Sequence, residues 1–274
     1  MKLNMILLYL LVAAAYVAGA MLEWRRLGRV EGGDHQPATP LARWLPLLAI
    51  AGHAILIMRV VFASDGLDLS LPNALSAVAG MVALFAWVGA QSRALPGVGA
   101  IALVVAAFAA LLPAAFPNPH RFSISDEPWA ALHIAVALVA LSLLIVAGLE
   151  ALLLMGVERR LHRGLPDPTG GTMPPLLTME RFLFRLVGVG YALLTVTMLS
   201  GIFFSEQVFG KPLTFTHKIV FSVLGWMVFG VFLVGRQWYG WRGRKALVWI
   251  LSGSILLLLA YLGSKFVLEV LLKR

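Results

Sequence analysis

The sequence predicts an all-α fold, an integral membrane bundle of eight transmembrane helices with both termini extracytoplasmic. Three observations carry that expectation. Of 274 residues, 60% are apolar and only 13% charged, well below the roughly 25% that a soluble chain carries. The mean hydropathy is +0.89, and eight apolar runs come close to the ~20 residues that cross a hydrocarbon core. Finally, most of the basic residues sit in short clusters between those runs.

The predicted spans are Met5–Leu22, Arg43–Phe62, Leu71–Ala90, Gly97–Phe116, Trp129–Val157, Phe182–Phe204, Thr216–Gly235 and Ala246–Val270. Proline, glycine, aspartate and asparagine punctuate the intervals, as in Leu95-Pro96-Gly97, Phe116-Pro117-Asn118-Pro119 and Leu165-Pro166-Asp167-Pro168-Thr169-Gly170-Gly171; such residues favour turns. No interval is long enough for a soluble domain, so residues 1–274 read as one transmembrane domain. In the first span, Ala18-Gly19-Ala20 resembles a signal-cleavage site. Only Lys2 precedes the apolar run, however, and Arg25, Arg26 and Arg29 follow it at once, the flanks of a retained helix.

Lys and Arg are held back on the cytoplasmic side of a membrane, so their distribution gives the direction of the chain. The odd-numbered intervals carry fourteen: Arg25, Arg26, Arg29, Arg43, Arg93, Arg159, Arg160, Arg163, Arg181, Arg185, Arg236, Arg242, Arg244 and Lys245. The opposite side carries eight: Lys2, Arg59, Arg121, Lys211, Lys218, Lys265, Lys273 and Arg274. Both termini are therefore expected to face outward. The formal charge of +9 is topology information, and clusters such as Trp241-Arg242-Gly243-Arg244-Lys245 read as lipid headgroup anchors, not as nucleic-acid patches.

The chain has no cysteine, which excludes disulfides, thiol redox chemistry and thiolate ligation of metals. Phosphate-binding glycine loops, His-Glu-x-x-His and Gly-x-Ser-x-Gly are also missing. Metal chemistry would have to rest on histidine, methionine, tyrosine or carboxylate.

Six histidines are present. His35, His120 and His162 lie in intervals between spans and read as solvated. In Asp126-Glu127-Pro128-Trp129 the aspartate can cap a helix whose first turn tolerates the proline, and His133 follows Trp129 by four residues on the same face. Lys211-Pro212-Leu213-Thr214-Phe215-Thr216-His217-Lys218 builds a second such start, with Thr214 or Thr216 as cap. The base distribution puts His133 and His217 at the same outer depth. Two imidazoles at one level can close on the two axial positions of a haem iron; equally, each can hydrogen-bond a carbonyl at the interface, where amphipathic rings are common.

His53 lies about ten residues past Arg43, roughly 15 Å deep at 1.5 Å per residue. An ionisable group at that depth is costly, so it reads as a buried imidazole bonded to a neighbouring helix, or as a ligand or proton relay. Glu150 also falls inside a span, with Glu158 and Arg159 close enough behind it to bring it toward the cytoplasmic headgroups. In the last span Tyr261, Lys265 and Glu269 recur at four-residue spacing, either a snorkelling ion-paired stripe or a clamp for an anion such as a haem propionate.

A family resemblance rests on Met173-Pro174-Pro175-Leu176 through Glu180-Arg181, Leu193-Leu194-Thr195 to Ser200-Gly201-Ile202-Phe203, Gly240-Trp241-Arg242-Gly243-Arg244, and Leu259-Ala260-Tyr261-Leu262-Gly263-Ser264-Lys265. These stretches resemble the bacterial inner-membrane YpjD proteins, relatives of HemX within the CcsA/CcmC cytochrome c assembly superfamily. The likeness is strongest over residues 125–274 and reaches the first four spans only through Gly52-His53-Ala54-Ile55. Trp129-Ala130-Ala131-Leu132-His133 is similar to the segment holding the first external haem-ligating histidine of that superfamily. The resemblance implies haem handling at the outer face in cytochrome c-type biogenesis. The chain departs from the superfamily pattern in having no tryptophan between Glu206 and Lys218, no histidine after the last span, and Val234 near the end of the seventh, where the CcsA branch has a histidine.

The sequence thus leads to a multi-pass protein of the bacterial inner membrane, not an enzyme. Haem is the expected cofactor, with His133 and His217 as its iron ligands, Trp129 as a flat packing surface and Lys265 and Arg121 as propionate partners. Expected partners are membrane lipid, haem, and other cytochrome c maturation or haem-synthesis proteins, and no nucleic acid. The rival reading is a regulatory or scaffolding subunit, as in HemX, that stabilises such a partner without binding haem.

Overall fold

The computed structural model describes residues 2–30, 40–63, 66–91, 98–117, 121–122, 128–163, 176–203 and 216–267. Its helices are α1 (Lys2–Val30), α2 (Pro40–Val61), α3 (Leu71–Gln91), α4 (Val98–Ala115), α5 (Pro128–His162), α6 (Leu176–Phe203), α7 (His217–Tyr239) and α8 (Gly243–Leu258). All eight are long and apolar enough to cross a membrane, the last counted with its extension to Phe266. The expected eight spans are therefore present. The ends that differ are those of α6, which is helical from Leu176, and of α5, which runs past Val157 to His162. Three short strands accompany the helices: β1 (Phe62–Ala63), β2 (Gly66–Asp68) and β3 (Arg121–Phe122). The first two pair antiparallel, Phe62 opposite Leu67.

The chain forms two compact units, Met1–Arg121 with Leu153–Met179, and Phe122–Leu152 with Glu180–Arg274. In the first, α1 packs on α2 and α4, and α3 packs on α2 and α4. The contact faces are rich in small residues, with Ala74, Ala77, Ala83 and Ala86 on α3 and Ala102, Ala106, Ala107 and Ala110 on α4 all buried. Lipid gives helices little hydrophobic reason to associate, so close backbone approach and dispersion must hold them. Tyr16, Leu56 and Leu103 fill the centre. At one end Trp87 Nε1 donates to the Arg43 carbonyl at 3.1 Å, and Arg43 lies over Trp44 at 5.4 Å.

In the second unit α5 approaches α8 closely enough for Ser254 Oγ to donate to the Leu144 carbonyl at 2.8 Å. The α6 and α7 helices join through Tyr191 stacked on Trp226 at 5.8 Å, whose Nε1 donates to Thr195 Oγ1 at 2.9 Å. That bond satisfies the indole within an otherwise apolar contact. Gly253 meets the ring of Phe229, and a Cβ there would stand 2.7 Å from Phe229 Cε2.

The turn from α7 to α8 is built from Gly240-Trp241-Arg242-Gly243-Arg244. Gly240 and Gly243 take φ of 64° and 56°, the left-handed region that costs a side chain most. Trp241 folds back on α7, donating from its backbone N to the Gly235 carbonyl at 3.3 Å. Any Cβ at position 235 would lie 2.5 Å from the Trp241 ring. Arg236 donates to the Trp241 carbonyl at 3.2 Å while its guanidinium stacks 3.8 Å from the Phe184 ring centroid, and Lys245 covers Trp241 at 4.0 Å. Glu180 Oε1 then accepts the Gly243 N–H at 2.9 Å, fixing the start of α8 to α6. Two stretches that carry the family resemblance thus meet in one latch.

Candidate functional site

His133 lies in the second turn of α5, half-buried, with Nδ1 2.8 Å from Ser200 Oγ near the end of α6. Ser200 Oγ also donates to the Thr197 carbonyl at 3.0 Å. In the tautomer that donates Nδ1–H to Ser200, the ring's lone pair lies on Nε2. An anchored N–H of this kind is how proteins orient a metal-ligating imidazole. Gly201 gives the ring room, since a Cβ there would come 3.4 Å from His133 Cε1.

Thr216, one of the two expected candidates, caps α7, with φ −98° and ψ 158°, accepting the Ile219 N–H at 3.5 Å. His217 is the first helical residue and is exposed. Its neighbour Lys218, which sequence reasoning counted only as a base, is the residue whose charge acts on His133. The Lys218 ammonium lies 5.7 Å from the Tyr261 ring centroid and also within electrostatic reach of Lys265. Adjacent residues on a helix point about 100° apart, so helix packing decides which one faces the imidazole.

Lys265 follows a π-helical stretch, Leu259–Gly263, after which the helix resumes over Ser264–Phe266. Ser264 Oγ donates to the Ala260 carbonyl at 2.6 Å there. Such π-turns add a residue to the helical register and are frequent at functional sites. Here one contains Tyr261 and precedes Lys265. His133, Ser200, Lys218, Tyr261 and Lys265 thus gather at one end of the second unit. Trp129, one turn before His133, is 61% exposed and offers its ring to the surroundings. Arg121 begins β3, and its side chain lies outside the described residues, as do His35, His120, Asp126 and Glu269.

Two groups stand apart from this end. In the first unit His53 is buried, with Tyr16 Oη 3.0 Å from Nδ1 and Ser76 Oγ 2.8 Å from Nε2. Both ring nitrogens are satisfied, which agrees with the bonded-imidazole reading of this residue. Glu150, in the second unit, is fully buried, and among the described residues neither carboxylate oxygen meets a hydrogen-bond partner. It does not reach toward headgroups. The α5 helix extends twelve residues beyond it to His162, about 18 Å at 1.5 Å per residue. No group of three or more His, Asp or Glu side chains that could hold a metal ion occurs among the described residues.

Eight apolar helices with a polar, histidine-bearing end define a polytopic membrane protein. The chain belongs to the cytochrome c assembly protein family, whose match covers residues 42–272. It is 32% identical over 231 residues to the inner membrane protein YpjD of Escherichia coli (strain K12), covering 82% of this chain and 85% of that one. A 28.8 kDa protein from the nifR3-like 5′ region of Azospirillum brasilense is 35% identical over 170 residues, 62% of each chain. The cytochrome c biogenesis protein CcsA of Chlamydomonas reinhardtii is 25% identical over 141 residues, 52% of this chain and 39% of that protein. No solved structure matches the chain.

Proposed function

We propose that this protein is a haem-handling component of cytochrome c-type biogenesis in the bacterial inner membrane, binding haem at the end of the second unit that carries His133. The observation that supports this best is the His133 imidazole held 2.8 Å from Ser200 Oγ, at the end of the second unit that also carries Lys218 and Lys265. That donor set suits haem: His133 would hold the iron, Lys218 and Lys265 would meet its propionates, and His217, exposed on a face of α7 turned about 100° from Lys218, would have to swing inward to serve as the second ligand. Trp129 would pack against the macrocycle. The family and the names of its relatives add support, YpjD as an inner membrane protein and CcsA as a cytochrome c biogenesis protein. Bound haem would supply an iron centre for delivery; the chain's own residues hold and orient it, and no substrate bond changes.

Both termini face outward in this reading, on the strength of the fourteen-to-eight distribution of bases. A reporter active only outside the cytoplasm should be active after Arg274 and silent after Trp241. The deciding experiment is an absorption spectrum of detergent-purified protein from cells supplied with haem: a six-coordinate low-spin spectrum is expected. If no haem co-purifies, the scaffolding reading takes its place, a reading that the absence of tryptophan from Glu206 to Lys218 favours.

A further inference from the structure

The end of the second unit that carries the α7–α8 turn concentrates positive charge. Residues 176–192 and 232–250, which form it, contain six bases, Arg181, Arg185, Arg236, Arg242, Arg244 and Lys245, and one acid, Glu180. One oxygen of Glu180 is already bonded to the Gly243 N–H, and that bond brings the start of α6 to the start of α8. Arg181 and Arg185 are both exposed, at four-residue spacing on α6, where like charges repel. Arg236 lies within electrostatic reach of Arg242 as well as of Glu180. An anion at this end would relieve both repulsions.

Two of the cations are held in place before any ligand arrives. The Arg236 guanidinium stacks 3.8 Å from the Phe184 ring centroid and donates to the Trp241 carbonyl at 3.2 Å. Lys245 rests over the Trp241 ring at 4.0 Å, and that ring leans on Trp249 at 5.4 Å. Side chains ordered in advance lose little freedom on binding. Beside them the surface is apolar: Trp238 and Tyr239 at the end of α7 are largely exposed, and so is Val248, three residues past Lys245 on the same face of α8. Tryptophan and tyrosine favour the headgroup depth of a bilayer, and basic pockets between membrane helices bind anionic headgroups. We propose that this end of the second unit binds the phosphate of an anionic phospholipid through Arg236 and the exposed bases Arg242, Arg244 and Lys245, with the acyl chains on the apolar surface of α7 and α8. A phosphocholine lipid brings a quaternary ammonium that these cations repel, so the site selects headgroups of net negative charge. The α7 helix is 23 residues long, about 34 Å, so the lipid site lies far from His217 and does not depend on haem.

Thermal unfolding of the full chain in an uncharged detergent tests this, with dioleoylphosphatidylglycerol or dioleoylphosphatidylcholine added. A lipid that binds only the folded state raises the melting temperature. Phosphatidylglycerol at saturation should raise it by about 3 °C or more above the phosphatidylcholine value, and sodium phosphate at the same concentration should not. Native mass spectrometry measures the bound lipid directly. Arg242→Gln combined with Arg244→Gln should weaken phosphatidylglycerol binding ~10-fold or more, as expected for two bases near a membrane surface. Both side chains are exposed, so the lipid-free melting temperature should match the parent's. Lys245→Gln alone should weaken binding ~5-fold. Arg159→Gln combined with Arg160→Gln removes the same charge from the end of α5 in the first unit and should bind lipid like the parent. The proposal is overturned if the two lipids shift the melting temperature equally, if sodium phosphate alone reproduces the shift, or if replacing Arg242 and Arg244 weakens lipid binding no more than replacing Arg159 and Arg160.

Discussion

Removing the Glu180 carboxylate should unfasten α8 from α6. In Glu180→Ala the Gly243 N–H at the start of α8 loses its 2.9 Å acceptor, and Arg242 at the cap position supplies no side-chain bond in its place. A hydrogen bond from a backbone donor to a charged acceptor contributes about 1.5–3 kcal/mol, and a carboxylate at a helix N-terminus adds about 0.3–1 kcal/mol through the dipole. Glu180 is only partly buried, so the lower half of this range applies, about 2–3 kcal/mol in all. For a chain of this size that is a fall of about 5–10 °C in Tm. Thermal unfolding in detergent, followed by far-ultraviolet circular dichroism, measures it. Glu180→Gln keeps an uncharged acceptor and should fall about half as far. A Glu180→Ala protein melting within about 1 °C of the parent would refute the latch and leave the α7–α8 turn to its glycines and Trp241.

Three further outcomes follow from packing and polar satisfaction. Gly253→Ala places a methyl against the Phe229 ring, 2.7 Å from Cε2, and should cost about 1–3 kcal/mol in the same melting assay as overpacking does. His53→Leu leaves both the Tyr16 hydroxyl and Ser76 without their imidazole, which should cost about 1–3 kcal/mol for each group that finds no other partner, while any haem spectrum stays unchanged. Glu150→Leu removes a buried carboxyl that has no partner among the described residues, so the melting temperature should hold or rise, because apolar replacement of a buried polar group is often neutral or stabilising.

The helices were legible because each is written in a continuous run of residues, and lipid imposes one length on all of them. Caps were legible for the same reason: Thr216 needs only its own helix to act. What joins one helix to another was not. Tyr16 and Ser76 reach His53 across 37 and 23 residues, and Ser200 reaches His133 across 67. No periodicity encodes such pairings. Glu150 was misread as approaching the headgroups because α5 was expected to stop at Val157, whereas it continues to His162. The basic cluster around Trp241 read as a headgroup anchor, and no local pattern indicates that Glu180 and Arg236 hold that turn in place. Lys218 could have been found only by asking which of two adjacent side chains faces α5, and neighbouring helices decide that.

The central claim is that haem is held at the His133 end of the second unit and not at His53. A haem titration of the purified protein and three variants, followed through the Soret band, tests it most directly. His133→Ala should lose the low-spin spectrum. Ser200→Ala should keep that spectrum but weaken binding ~10-fold or more, as loss of an orienting partner does at metal sites. His53→Leu should titrate like the parent. Haem retained in full by His133→Ala and lost in His53→Leu would contradict the account and move the site into the first unit.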